Sequence, residues 1–254
     1  MCLIGLHLGK GPALLLAANR DEFADRPTAP LHWWNDNMLA GKDLRANGTW
    51  LGITRHGRFA AVTNVRDPSI SSAPVPFGSR GLMVHAYLDG NEDPLDFLHR
   101  MHSEIKTPSP YNLIVGQISG NTIECHWLGG RTRDIKTLGQ GAHVLSNAEL
   151  NTPWPKAQRL LKALETQDPD VVTQLMHSRD VADDAQLPAT GVPYHWEKKL
   201  SAALITGVDY HTRSSTLIQV TGADVFAREI TWSSDAEPIK TTEEKFLIAA
   251  SIGA

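Results

Sequence analysis

Cysteine stands at position 2, and the stretch CLIGLHLGKGPALLLAANRDE carries the chain from it to a polar run, Asn19-Arg20-Asp21-Glu22. A thiol within hairpin reach of a carboxylate and a carboxamide is the raw material of nucleophilic catalysis. If the turn is centred on Lys10-Gly11, cross-strand partners have numbers that sum to about 21. Cys2 then faces Asn19, Asp21 follows two places on along the same face, and Arg20 projects from the opposite one. Register decides everything here, because a slip of one residue exchanges the faces. Removal of Met1 would leave thiol and α-amine on one residue, with reference pKa values of about 8.5 and about 8. The amine can then take the thiol proton, directly or through water, while Asp21 holds the ammonium and Asn19 orients it. Outside such surroundings a cysteine at this position is only a small apolar strand residue.

The elements that must position these groups are read from apolar patterning. CLIGLHL and ALLLAAN flank the turn Gly9-Lys10-Gly11-Pro12 and lack clean alternation, which suits strands covered on both faces. TWLGITRHGRFAAVTN, YNLIVGQISGNTIECHWL and STLIQVTGADVFAREITW repeat the hairpin pattern around His56-Gly57, Gly120-Asn121 and Gly222-Ala223. Helices are expected in SRGLMVHAYLDG, DPLDFLHRMHSE, PWPKAQRLLKALE and PDVVTQLMHS. In the third of these, Ala157, Leu160, Leu161 and Leu164 form one face. The Ser/Pro-rich segment from Arg66 to Phe77 reads as a rim or lid. With no internal repeat and no linker, the expectation is one domain over 1–254. Its fold class is α+β, a four-layer αββα sandwich of two stacked antiparallel sheets.

Composition narrows the function. A net charge of −4 over 254 residues argues against a nucleic-acid or anionic-membrane surface. Two cysteines, Cys2 and Cys125, are too few for a disulfide framework and form no CxxC or CxxCH, so a reducing cytoplasm is expected. ALLLAA is shorter than a signal-peptide core and lacks a basic flank, and no stretch has transmembrane length. His99 and His102, three apart on an expected helix, suit a metal or haem but also suit a solvated face; no metal site is expected. Trp33, Trp34 and Trp50 suit a pocket wall or the core.

Cys2 at a strand start, a hairpin to Asn-x-Asp, Asn64 closing RFAAVTN and Asn147 in VLSNAELNTPWP resemble the choloylglycine hydrolase and penicillin V acylase group of N-terminal-nucleophile hydrolases. The resemblance implies Cys2 as nucleophile, Asp21 as partner of its amine, Asn64 and Asn147 as oxyanion donors and Arg213 as the late active-site arginine. It departs at Ala18, where that group has an arginine; Arg20 stands nearby instead. A resemblance over nearly the whole chain runs through NRDE at 19–22, GTWLG at 48–52, TNVRDP at 63–68, SRG at 79–81, YNLIVG at 111–116, LSNAELNTPWPK at 145–156 and TRSST at 212–216. Together these resemble the NRDE family, also called the Transport and Golgi organisation protein 2 family.

That resemblance implies an N-terminal-nucleophile-hydrolase-like fold and the handling of a hydrophobic small molecule, haem or an acyl lipid. Haem would be cargo, needing no further cofactor, with Asn19, Arg20 and Arg66 as ligand-binding candidates. The alternative is an N-terminal-cysteine amidohydrolase that cleaves a C–N bond of a hydrophobic acyl substrate.

Overall fold

Strand Cys2–Leu8 (β1) buries both of its faces: Ile4, Leu6 and Leu8 look one way and Leu3 the other. The next strand, Ala13–Phe23 (β2), does the same, with Leu14, Leu16 and Ala18 on the first side and Leu15 and Ala17 on the second. Such strands need a layer above and a layer below. The computed structural model describes residues 2–11, 13–70, 73–104 and 106–249.

The chain continues through Thr28–Trp33 (β3), Met38–Asp43 (β4), Leu51–Thr54 (β5) and Arg58–Asn64 (β6) to the helices Arg80–Asp89 (α1) and Pro94–Glu104 (α2). Tyr111–Ser119 (β7), Thr122–Gly129 (β8), Ile135–Thr137 (β9) and Gly141–Leu145 (β10) follow. Helices Pro155–Glu165 (α3), Pro169–Met176 (α4) and Tyr194–Lys199 (α5) precede Tyr210–Thr221 (β11), Asp224–Trp232 (β12) and Pro238–Leu247 (β13).

One sheet has the order β10-β1-β2-β11-β12-β13 and the other runs β3 to β9 in sequence. Every pairing between described strands is antiparallel. Leu160, Leu164, Val172 and Met176 of α3 and α4 cover the outer face of the first sheet, against Leu3, Leu15 and Leu217. Met83, Tyr87, Phe97 and Leu98 of α1 and α2 cover the second. The inner faces meet through Ile4, Leu6, Leu16, Leu51 and Ala61. The layering is αββα, the α+β class that the apolar patterning predicts.

The four expected hairpins and four expected helices are present. Sequence reading missed β3, β4, β9, β10, β13 and α5. β3 carries Pro30 at a register shift on a sheet edge, where a missing N–H is tolerated. β13 is the other sheet's edge strand and is largely exposed, so its charged, apolar-poor sequence gives little strand signal.

The first hairpin departs from its expected register by one residue. Cys2 pairs with Arg20, and Leu3 with Asn19. The cause is the turn: Gly9 donates to the Ala13 carbonyl, and the loop pivots on Gly11, whose φ of 65° suits glycine. Pro12 lies outside the described residues.

Gly48 seats the start of α1. A Cβ there would lie 2.4 Å from the Gly81 carbonyl carbon and 2.6 Å from the Leu82 nitrogen, and backbone cannot yield as a side-chain tip can. Gly48→Ala is therefore expected to destabilise the fold by about 1–3 kcal/mol through overpacking. The check is a lower urea midpoint at unchanged slope; an unaltered midpoint would refute this seating of α1.

Candidate active site

The start of β1 and the end of β2 meet the end of β6 at a cleft of about 450 Å³, lined by Cys2, Arg20, Asp21, Trp50 and Asn64, among others. Because Cys2 pairs with Arg20, the two share the face turned to the second sheet. Asn19 points the other way: its Nδ2 donates to the carbonyls of Met176 at 2.7 Å and Ala203 at 2.8 Å. It ties the helical layer to the sheet and does not face Cys2, against the expected register.

Asp21 is buried at the end of the same strand. Thr212 Oγ1 donates to its Oδ1 at 2.7 Å, and the Tyr210 hydroxyl to its carbonyl at 3.0 Å. Burial pushes the Asp21 carboxyl up, against the pull of Lys156 and the Thr212 bond. The half-buried Cys2 thiol is also pushed up, by burial first and by the Asp21 charge. The Arg20 charge and the Asp21 backbone N–H pull it back only in part. The resting thiol is therefore protonated at neutral pH and needs a base.

Asn147 is fully buried behind Asn64. Its Nδ2 donates to the Asn64 carbonyl at 3.0 Å and to Asn64 Oδ1 at 3.1 Å. With Oδ1 engaged, Nδ2 is the Asn64 side-chain group left to donate, and Asn64 is one of the residues lining the cleft that also holds Cys2. The Asn147 carbonyl accepts from the Arg66 backbone at 2.7 Å, and Thr63 Oγ1 donates to the Ser146 carbonyl at 2.8 Å. These bonds fix the two asparagine loops to each other.

Cationic groups surround the mouth. Arg20 lies 4.5 Å from the Trp50 ring centre and donates to Thr28 Oγ1 at 3.1 Å. Arg26 pairs with Asp43 at 2.9 Å. Burial would raise the Asp43 carboxyl, but bonds from Arg26 and from the Ala46 and Arg45 amides outweigh it and hold it low. Val75 and Gly78 line the cleft, so the end of the Ser/Pro-rich segment does form part of its rim; Ser71 and Ser72 lie outside the described residues.

Two other expected residues sit elsewhere. Arg213 occupies a bulge in β11, between Thr212 and Ser214, which re-aims its side chain. Its Nη1 donates to the carbonyls of Phe23 at 3.0 Å and of Ala24 and Arg26 at 3.1 Å, so it clamps the loop after β2 and does not line the cleft. Arg66 pairs with Glu197 at 2.7 Å and lies 5.0 Å from the Trp154 ring centre, in a separate hollow behind Asn147. Of the tryptophans only Trp50 reaches the cleft; Trp33 packs on Phe246 and Trp34 on His85. His99 lies exposed on α2, beyond the second sheet.

One residue at the site was not foreseen. Lys156 is 2% exposed, and its Nζ has no hydrogen-bond partner among the described residues. Burial brings its pKa down to about 8, although Asp21 and Cys2 hold it up. The signal was available: Lys156 stands one helical turn before Leu160, on the buried stripe of α3. No group of His, Cys, Asp or Glu among the described residues is arranged to hold a metal ion, and no described helix is long and apolar enough to cross a membrane.

Residues 1–231 match the family model described as Transport and Golgi organisation 2. The chain belongs to this family. It is 31% identical over 276 residues to the Transport and Golgi organization protein 2 homolog of Bos taurus, covering 97% of this chain and 99% of that one. It is 32% identical over 250 residues to the Mus musculus homolog, covering 87% and 88%. Among solved structures, a conjugated bile acid hydrolase from Clostridium perfringens aligns with a TM-score of 0.46 and 9% identity, covering 100% of this chain and 99% of that one. The span matched to the Transport and Golgi organisation 2 family includes the whole cleft, with the Arg213 clamp beside it.

Arg213→Ala should free the three carbonyls of the clamp. Charge-assisted bonds of this kind are each worth about 1.5–3 kcal/mol. Amide exchange through residues 23–26 is expected to accelerate at least about tenfold, a change equivalent to about 1.4 kcal/mol. Unchanged protection there would show that Arg213 does not hold the loop.

Proposed function

We propose that this member of the Transport and Golgi organisation 2 family is an N-terminal-cysteine hydrolase, acting on a C–N bond of a hydrophobic acyl substrate. The observation that carries the reading is the asparagine relay: Asn147 donates to Asn64 Oδ1, and Asn64 lines the cleft of Cys2, so that its Nδ2 would be the donor to an oxyanion there. Oxyanion donors act when fixed before the reaction, and removal of one costs about 3–4 kcal/mol.

The reading requires loss of Met1, which lies outside the described residues. The Cys2 α-amine then takes the thiol proton, and Sγ attacks the substrate carbonyl carbon. Asn64 donates to the oxyanion. The ammonium returns its proton to the departing nitrogen as the C–N bond breaks, leaving a thioester on Cys2. The amine next takes a proton from water, hydroxide adds to the thioester, and the acid leaves as Sγ recovers the proton. An ionised Asp21 would stabilise the ammonium that forms within each half of the reaction.

A second reading, reversible haem carriage, is favoured by one feature. The Cys2 sulfur is a haem-iron ligand type, and Arg20, Arg26 and Arg80 line the same cleft with groups suited to propionates.

One series separates the two. A panel of N-acyl amides is assayed for amine release with the protein and its variants. Cys2→Ala is expected to abolish release while the circular dichroism is unchanged, and Cys2→Ser to retain a trace. Asn64→Ala should lower kcat by about 10²–10³. Turnover that survives Cys2→Ala contradicts the hydrolase reading. Absent turnover, together with a saturable Soret shift that Cys2→Ala weakens, would establish the cargo reading in its place.

A further inference from the structure

Gly41 of β4 has no backbone reason to be a glycine. Its φ lies outside the left-handed region, so a side chain is compatible with the local backbone. A glycine inside a strand then marks a close approach. A Cβ there would lie 2.4 Å from Cη2 and from Cζ2 of Trp50, closer than non-bonded carbons come. Gly41 makes room for the edge of an indole.

The same indole is fixed from two other directions. Arg20 lies over its face, 4.5 Å from the ring centre, and is itself bonded to Thr28 Oγ1 at 3.1 Å. The Trp50 carbonyl accepts from the Val62 amide at 2.9 Å, which ties its backbone to β6. Trp50 is 7% exposed and lines the cleft, whereas Gly41 behind it does not. The ring is thus a wall of the cleft with β4 at its back. Because Arg20 stands opposite Cys2 in the first sheet, the indole lies one arginine side chain from the nucleophile. Val62 and Val75 add apolar surface to the same cleft, as an alkyl chain requires.

We infer that Trp50, seated on Gly41, is the specificity-determining residue of the cleft: it sets the length of acyl chain accepted beside Cys2. The inference rests on the hydrolase reading for its ligand class, an acyl amide. Gly41 is a positioning residue that acts through the ring. A smaller side chain at 50 lengthens the cleft, whereas a side chain at 41 drives the ring forward and shortens it. A packing role alone lowers stability in both cases and gives no such opposition of sign.

The test is calorimetric binding of straight-chain N-acyl amides of one amine, acetyl to decanoyl, to full-length protein carrying Cys2→Ala. Turnover is then not needed. Each methylene that fits should tighten binding about fourfold, equivalent to about 0.8 kcal/mol, until the chain meets the ring. The length at which this gain stops should increase in W50L and in the milder W50F, and decrease in G41A. G41A/W50L should match W50L, because the added Cβ then meets no ring.

A stopping length that these variants leave in place, or move in one direction, overturns the inference. A double variant that still shows the full G41A shift does the same, as does a series in which no amide binds. If W50L does not fold, W50F against G41A carries the same opposition of sign. The hydrolase reading fails separately, when wild-type protein releases no amine from the amides that the Cys2→Ala protein binds.

Discussion

A turn that pivots on Gly11 fixes the pairing of β1 with β2, and the cleft follows from that pairing. With Cys2 opposite Arg20, the thiol faces the second sheet, where the Asn64–Asn147 relay closes the far wall. A pairing shifted by one residue would turn the Cys2 thiol toward the helical layer, away from the relay. The register is held by the turn and by Asn19, whose side chain is bonded into the helical layer; along the strand Leu14, Leu16 and Ala18 lie between the sheets, while Leu15 and Ala17 lie under α3 and α4.

The site draws on both faces of the same strand end. Arg20 reaches the intersheet cleft, whereas Asn19 is bonded into the helical layer and Asp21 accepts from Thr212 of β11. Charge is consequently organised in two tiers. Around the mouth, Arg20, Arg26 and Asp43 form a partly solvated network. Beneath it, Asp21, Lys156, Arg66 and Glu197 form a buried set with two anions and two cations. Buried charge of this kind is tolerated only when balanced, which is why Arg66 is better understood with Glu197 than as a ligand contact.

Much of the architecture was legible in the sequence because its central strands and covering helices announce themselves by apolar period and by glycine turns. Edge strands β3 and β13 were not, since one contains proline and the other is largely polar and exposed. At the candidate site, Cys2 and Asp21 were singled out by the expected hairpin, and Asn64 and Asn147 by the family resemblance. Their facing was not legible, because a hairpin's centre depends on whether its loop has an even or an odd number of residues, and Lys10-Gly11-Pro12 permits either. Arg213 was misplaced for a related reason: the bulge that turns it toward the loop carbonyls leaves no trace in TRSST. Lys156 was overlooked because a charged residue on an apolar stripe is normally read as the edge of that stripe.

The central claim is that Cys2 acts as an N-terminal nucleophile, and it has one requirement that no side-chain contact can replace, a free α-amine on Cys2. Intact-mass and N-terminal peptide analysis of the protein purified from its own cell tests this most directly. The expected result is that the first residue of the mature chain is Cys2, and that its thiol takes up an acyl group from an activated acyl donor as a hydroxylamine-sensitive adduct. A mature chain that retains Met1, or an adduct that forms on Cys125 instead of Cys2, would contradict it.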